Sequence, residues 1–126
     1  MKNYCALNKN IVSAAYRVFD KLGKGFLEKV YQNALKLELD RLGYSVTTEA
    51  RIDVRYDGVV VGTYYADVLV DDAKVDNGLI IEIKACKSII KPHIRQVKNY
   101  LKATGIMNGL IINFGRDELQ MTRVFG

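Results

Sequence analysis

Leu79-Ile80-Ile81-Glu82-Ile83-Lys84-Ala85 is an apolar run interrupted, two positions apart, by a carboxylate and an ammonium. Alternate residues of a strand project from one face, so a strand here points Glu82 and Lys84 together while Ile81, Ile83 and Ala85 line the other side. A buried-looking strand rarely spends two charges on one face. Upstream, Tyr65-Ala66-Asp67-Val68-Leu69-Val70 is a second strand-like run with one embedded carboxylate. A desolvated charge is costly unless it is paired or metal-bound, which makes Asp67, Glu82 and Lys84 the first candidates for a site.

Working outward, Val46 to Tyr56 alternates, with Val46, Thr48, Ala50, Ile52, Val54 and Tyr56 on one face and Thr47, Glu49, Arg51, Asp53 and Arg55 on the other, the pattern of a half-exposed strand. Asp57-Gly58 is a strong hairpin signal, so Val59 to Val70 should pair antiparallel with it, with Gly62 marking a bulge. Before these strands, Ile11, Ala15, Val18 and Leu22, flanked by Val12 and Phe19, recur at helical spacing from Asn10 to Leu22. A second helix is expected from about Leu27 to Leu42, with Tyr31, Leu35, Leu39 and Leu42 as its apolar stripe. Glu28 shares that stripe, which predicts an inward-facing carboxylate. After a polar connection over Asp71 to Gly78 and the Glu82/Lys84 strand, Pro92 suits the first turn of a helix from about Lys91 to Thr104. Ile94, Val97 and Leu101 are its buried face, and Gly105 its cap. Gly109-Leu110-Ile111-Ile112-Asn113, apolar on both faces, reads as an interior strand reached by a helical crossover. The expected order is ααβββαβ, an α/β chain without repeats or linkers.

A chain of 126 residues, 49% hydrophobic and 26% charged with one Pro, fits one globular domain. Its net charge of +5 is compatible with a polyanionic partner. No apolar run approaches the ~18 residues of a membrane helix, and Met1-Lys2-Asn3-Tyr4-Cys5 has no signal-peptide character, so the expectation is a cytoplasmic protein off the membrane. Two cysteines, Cys5 and Cys86, and one histidine support neither a disulfide framework nor a thiolate or imidazole metal site. Any metal must be hard and oxygen-bound.

Hydrolysing a phosphodiester near neutral pH requires an activated water, neutralisation of phosphate charge and help for the leaving oxygen, much of which a Mg²⁺ or Mn²⁺ ion supplies. Two carboxylates on adjacent strands can hold such an ion and leave positions open for substrate. Asp67 and Glu82 suit that role, and Lys84 could orient the attacking water or bind phosphate oxygens. Three converging carboxylates, Glu28, Asp67 and Glu82, would repel one another without a cation, which adds weight to metal binding.

Asp67 followed by Glu82-Ile83-Lys84 on consecutive strands, after a helix bearing Glu28, resembles the PD-(D/E)XK nuclease superfamily. Gly25-Phe26-Leu27-Glu28-Lys29-Val30-Tyr31 is similar to the signature of the small GxxExxY proteins placed within it. The likeness continues through Tyr56 to Gly62, Ala66-Asp67, Glu82 to Ala85, Gln96-Val97-Lys98-Asn99-Tyr100-Leu101 and Gly109 to Gly115. Ala66 stands where the superfamily name has Pro. The resemblance implies a restriction-endonuclease-like core: a mixed central sheet flanked by helices, with the acidic site on its strands. It implies Asp67 and Glu82 as metal ligands, Lys84 as catalytic and Glu28 as an auxiliary acid. Gln96 and Tyr100, one helical turn apart, resemble the Gln-xxx-Tyr pair that some superfamily nucleases place beside the site.

Each residue has a plainer alternative. Glu82 with Lys84 could be an exposed ion pair on an edge strand, Glu28 a carboxylate favouring its helix N-terminus, and Gln96 and Tyr100 packing residues. His93 reads as a helix-end residue and Cys86 as a small core residue. Lys87, Lys91, Arg95, Lys98 and Lys102 could touch phosphates or form a solvated face. Tyr4, Tyr16, Tyr44, Tyr56, Tyr64 and Tyr65 are expected to pack. The leading expectation is a Mg²⁺- or Mn²⁺-dependent nuclease acting on DNA. The alternatives are a nuclease-like module that binds nucleic acid or a partner protein without cutting, and a hydrolase of smaller phosphorylated substrates. In a chain this small, specificity would come from a homodimer or partners.

Overall fold

A computed structural model of the chain describes residues 2–71, 75 and 78–126, with residues 2–8 described by their backbone only. The side chains of Tyr4 and Cys5, and most of the connection expected over 71–78, lie outside the described residues. Two helices, α1 (Lys2–Leu22) and α2 (Glu28–Arg41), precede the hairpin of β1 (Val46–Tyr56) and β2 (Val59–Val70); β3 (Leu79–Lys84), α3 (Lys91–Thr104), β4 (Asn108–Asn113) and β5 (Gln120–Phe125) follow. The strands form one mixed sheet in the order β1-β2-β3-β4-β5. Among the described strands only β3 and β4 are parallel, joined by α3 as the crossover. This is the α/β architecture expected, with one addition.

That addition is β5, which changes the order to ααβββαββ. It pairs antiparallel with β4 from Asn108↔Phe125 to Asn113↔Gln120 and makes β4 the interior strand its composition calls for. As an edge strand with one buried residue, Val124, it carries little of the alternation that marks strands in a sequence.

Two apolar clusters lie on opposite faces of the sheet. On one, Ile11, Ala15 and Val18 of α1 and Tyr31, Leu35 and Leu39 of α2 pack on Val68, Val70, Ile81, Ile83 and Ile112. On the other, Val97, Tyr100 and Leu101 of α3 cover Ala50, Ile52, Ala66, Ile80 and Ile111. Leu42, expected on the α2 stripe, is instead largely exposed just past the helix end.

The β1–β2 hairpin turns at Asp57-Gly58, both with positive φ, as a two-residue hairpin demands. Its register slips between Val54 and Arg55, opposite Val60 to Gly62, where a bulge was expected. A second irregularity breaks the clean alternation of β1: Thr48↔Val68 and Ala50↔Ala66 are paired, whereas Glu49 and Asp67 between them are not, and Glu49 has φ 51°. Across this step the hairpin exchanges faces. Val46, Val68 and Val70 pack toward α1 and α2, yet Ala50 and Ala66 pack toward α3.

The tyrosines divide. Tyr44 is buried, but Tyr16, Tyr56, Tyr64 and Tyr65 are exposed rather than packed as expected.

Candidate functional site

The pairing of β2 with β3 runs from Val70↔Leu79 to Val68↔Ile81 and stops. One further step of that register sets Asp67 opposite Glu82, and directly opposite residues share a face. Leu69 and Ile80, one pair earlier on that parity, pack toward α3, so both carboxylates look to the α3 side. Where the ladder ends, side chains take over its hydrogen bonds. The Ile83 N–H donates to Asp67 Oδ2 at 2.8 Å, and the Asp67 N–H approaches Glu82 Oε1 at 3.5 Å. The splayed strands thereby form an acidic notch.

Glu82 is only 5% exposed. Burial, followed by the neighbouring Asp67 charge, pushes its carboxyl up to about 8, with Lys84 acting in the opposite sense. Asp67 is also raised, chiefly by burial and further by the charge of Glu49, while the Ile83 N–H pulls it down. Lys84 Nζ lies 4.0 Å from Glu82 Oε2 and 3.4 Å from Gln96 Oε1. Gln96 Nε2 in turn donates to the Tyr100 hydroxyl at 2.9 Å. Burial, and then the Glu82 charge, push that phenol up to about 12, so it stays protonated at any working pH. Asp67, Glu82, Lys84, Gln96 and Tyr100 are therefore joined in one network, and the plainer alternative of an exposed Glu82–Lys84 pair on an edge strand does not hold: β3 is interior.

Glu28 is not brought into it. It is exposed in the first turn of α2, contrary to the inward direction its spacing suggested, and no contact among the described residues carries it to Asp67 or Glu82. The stripe argument fixes an angle around the helix axis, and at the first turn that direction runs past the packed layer. Gly25 and Tyr31, the ends of the Gly25-to-Tyr31 segment, have structural roles. Gly25 has φ 118°, closed to other residues without strain. The buried Tyr31 stacks on Phe114 at 4.4 Å, donates to the Gly23 carbonyl at 2.6 Å and accepts from the Phe26 N–H at 3.2 Å. It staples the α1–α2 connection to the end of β4.

The carboxylate that sequence reasoning missed is Glu49. It stands in the unpaired step beside Asp67, bonded to the buried Gln32 of α2 and paired with Lys29 at 3.4 Å. Alternation placed it on an exposed face, and its side chain is indeed half exposed, but alternation gave no sign of its left-handed backbone. Also missed is the clamp behind Lys84. Asn113, fully buried, accepts from the Cys86 and Gly115 N–H groups and donates to the Cys86 carbonyl and Gln120 Oε1, all at 3.0 Å. Phe114 N–H donates to the Lys84 carbonyl at 2.8 Å. A Cβ at Gly115 would strike the backbone of Ala85 and Cys86, so this close approach requires glycine. An Asn closing the apolar β4 run two residues before Gly115 is the signal that could have found it.

His93 caps its own helix, its Nδ1 accepting from the Ile90 N–H at 3.1 Å. Burial and then the Lys84 charge hold it below the ordinary imidazole range. Cys86 is half-buried at the edge of the core, with its thiol toward the Ser88 carbonyl. Lys87, Lys91, Arg95, Lys98 and Lys102 are all exposed.

Two acids and a lysine thus meet at the parting of the second and third strands, in a mixed sheet flanked by helices. The sequence profile of the PD-(D/E)XK nuclease superfamily covers residues 6–124. The chain belongs to this superfamily. The fold is also similar to the crystal structure of SSO0001, at a TM-score of 0.54 and 18% identity over 76% of this chain and 51% of that one. The chain thus spans about half the length of that protein. No curated protein matches it.

PD-(D/E)XK nucleases generally use divalent metal ions. Asp67 and Glu82 fit one: both are hard oxygen donors, they face one notch, and their burial and mutual repulsion are what a cation would compensate. Among the described residues no third His, Cys, Asp or Glu completes a ligand cluster, leaving other positions to water and substrate, as is usual for Mg²⁺.

Proposed function

We propose that the chain is a nuclease of the GxxExxY type, a single domain over residues 1–126, which hydrolyses phosphodiester bonds in nucleic acid, DNA first among them, with Mg²⁺ or Mn²⁺. The observation that carries this reading is the notch in which Asp67 and Glu82 meet with the Lys84 ammonium 4.0 Å from Glu82. A bound divalent ion would lower the pKa of a water and neutralise phosphate charge there. Asp67 and Glu82 would hold it as ligands. Lys84 donates hydrogen bonds to the attacking water or to a phosphate oxygen as charge develops. Gln96, anchored by Tyr100, holds the Lys84 amine toward the notch. Glu28 remains an exposed acid at the positive end of α2, where it favours the helix.

The net charge of +5 and the exposed cations of α3 support a nucleic-acid substrate. No helix among the described residues is long and apolar enough to cross a membrane, and a cytoplasmic site of action belongs to the same proposal. So does reliance on a homodimer or partner protein for specificity. Purified protein should cleave DNA or RNA with Mg²⁺ or Mn²⁺, and Glu82→Ala or Lys84→Ala should abolish cleavage while leaving the circular dichroism spectrum unchanged. Cleavage surviving either substitution refutes the assignment. A second reading, a module that binds without cutting, draws on the exposed cations of α3, which serve binding whether or not turnover follows. Metal-independent binding without turnover would establish it.

A further inference from the structure

Beside the catalytic network, the outer part of the hairpin and α3 enclose a groove of about 540 Å³ walled by Val54, Arg55 and Tyr64 on one side and Asn99 and Lys102 on the other. Tyr64 pairs with Ile52 and shares its α3-facing side. The residue is 49% exposed, with its ring centroid 5.8 Å from that of Tyr100, the residue anchoring Gln96 and through it Lys84. The groove thus opens one side chain away from the site.

Its charges are arranged for an anion. Asp53, also on the groove wall, is already engaged by Arg51 at 2.9 Å and Thr63 at 3.0 Å. Among the described residues neither Arg55 nor Lys102 is held in an ion pair; Arg55 makes a long contact, 3.3 Å, with the Gly58 carbonyl, and its charge acts on Asp53 behind that of Arg51. Two cations free to meet phosphate therefore flank a half-exposed aromatic ring.

We propose that this groove binds a single-stranded segment of nucleic acid next to the scissile phosphate, one base stacking on Tyr64 and its phosphates meeting Arg55 and Lys102. A π-face is available only on an unpaired or frayed base, because a duplex hides its bases from a side-chain ring. The groove also has room for one or two nucleotides, not for a helix. The placement beside catalysis rests on the nuclease reading above; the binding does not.

The test is fluorescence anisotropy in EDTA with a labelled single-stranded DNA oligonucleotide, its RNA counterpart and the matching DNA duplex. Both single strands should bind more tightly than the duplex, since stacking accepts any base. Tyr64→Ala should weaken single-strand binding roughly tenfold, and Tyr64→Phe should restore it. Arg55→Gln with Lys102→Gln should flatten the salt dependence of binding by about 1.4 in log–log slope. Binding unchanged in Tyr64→Ala, or a duplex preference indifferent to all these substitutions, overturns the proposal. Glu82→Ala separates the two readings: should it still cleave, the nuclease assignment fails while the groove is judged by anisotropy alone.

Discussion

Replacing Glu82 by Gln keeps the shape of the side chain and removes its capacity to ionise. In the folded protein the carboxyl titrates near 8, against 4.5 for an unburied glutamate. The folded state therefore keeps a proton that the unfolded state releases, and stability falls as pH rises between those values, then levels off. The interval of about 3.5 pH units, at ~1.4 kcal/mol each, sets the loss at up to about 5 kcal/mol. The raised Asp67 adds to it in the same direction. Glu82→Gln escapes this loss. In EDTA the variant and the parent should melt together near pH 4.5, whereas at pH 8.5 the variant should be the more stable by several kcal/mol, on the order of 10 °C in melting temperature. Added Mg²⁺ at pH 8.5 should raise the melting temperature of the parent alone, because binding to the folded state stabilises it and the variant lacks the ligand. Equal melting at both pH values would refute the reasoning, since it would mean that Glu82 is not desolvated.

Three further outcomes follow from the same geometry. Mn²⁺ affinity, measured by calorimetry, should rise about tenfold per pH unit up to pH 8 and then flatten, because binding must expel the Glu82 proton; a flat profile would show that the ion binds elsewhere. Gly115→Ala should destabilise the fold by about 1–3 kcal/mol in urea titrations, through collision with the Cys86 backbone; a neutral effect would remove the clamp from the account. Glu49→Gln should lower the Asp67 carboxyl pKa, read by carboxyl NMR titration, because it removes a charge that raises it, while Glu28→Gln should leave it unchanged. The opposite pattern would restore Glu28 to the site.

Period-two reading served the site well, because Glu82, Lys84 and the α3-facing Ile80 are consecutive alternate positions on a regular strand. Gln96 and Tyr100 were equally legible, since i,i+4 spacing on a helix fixes a shared face whatever the fold. Glu28 shows where such spacing fails: it gives direction around an axis but not how far the neighbouring layer extends. Glu49 was hidden for another reason. A left-handed conformation at a non-glycine residue is not a local preference that a sequence displays, and across it Ala50 and Ile52 face α3 where Val46 faces α1 and α2. The last strand lay below notice because an edge strand needs little apolar content to pair.

The most direct test is a crystal grown or soaked with Mn²⁺ near pH 8 and examined by anomalous scattering, alongside Asp67→Asn. The account predicts a peak bridging the Asp67 and Glu82 carboxylates in the parent and none in the variant. A peak at another position, or none in the parent at saturating Mn²⁺, would contradict it.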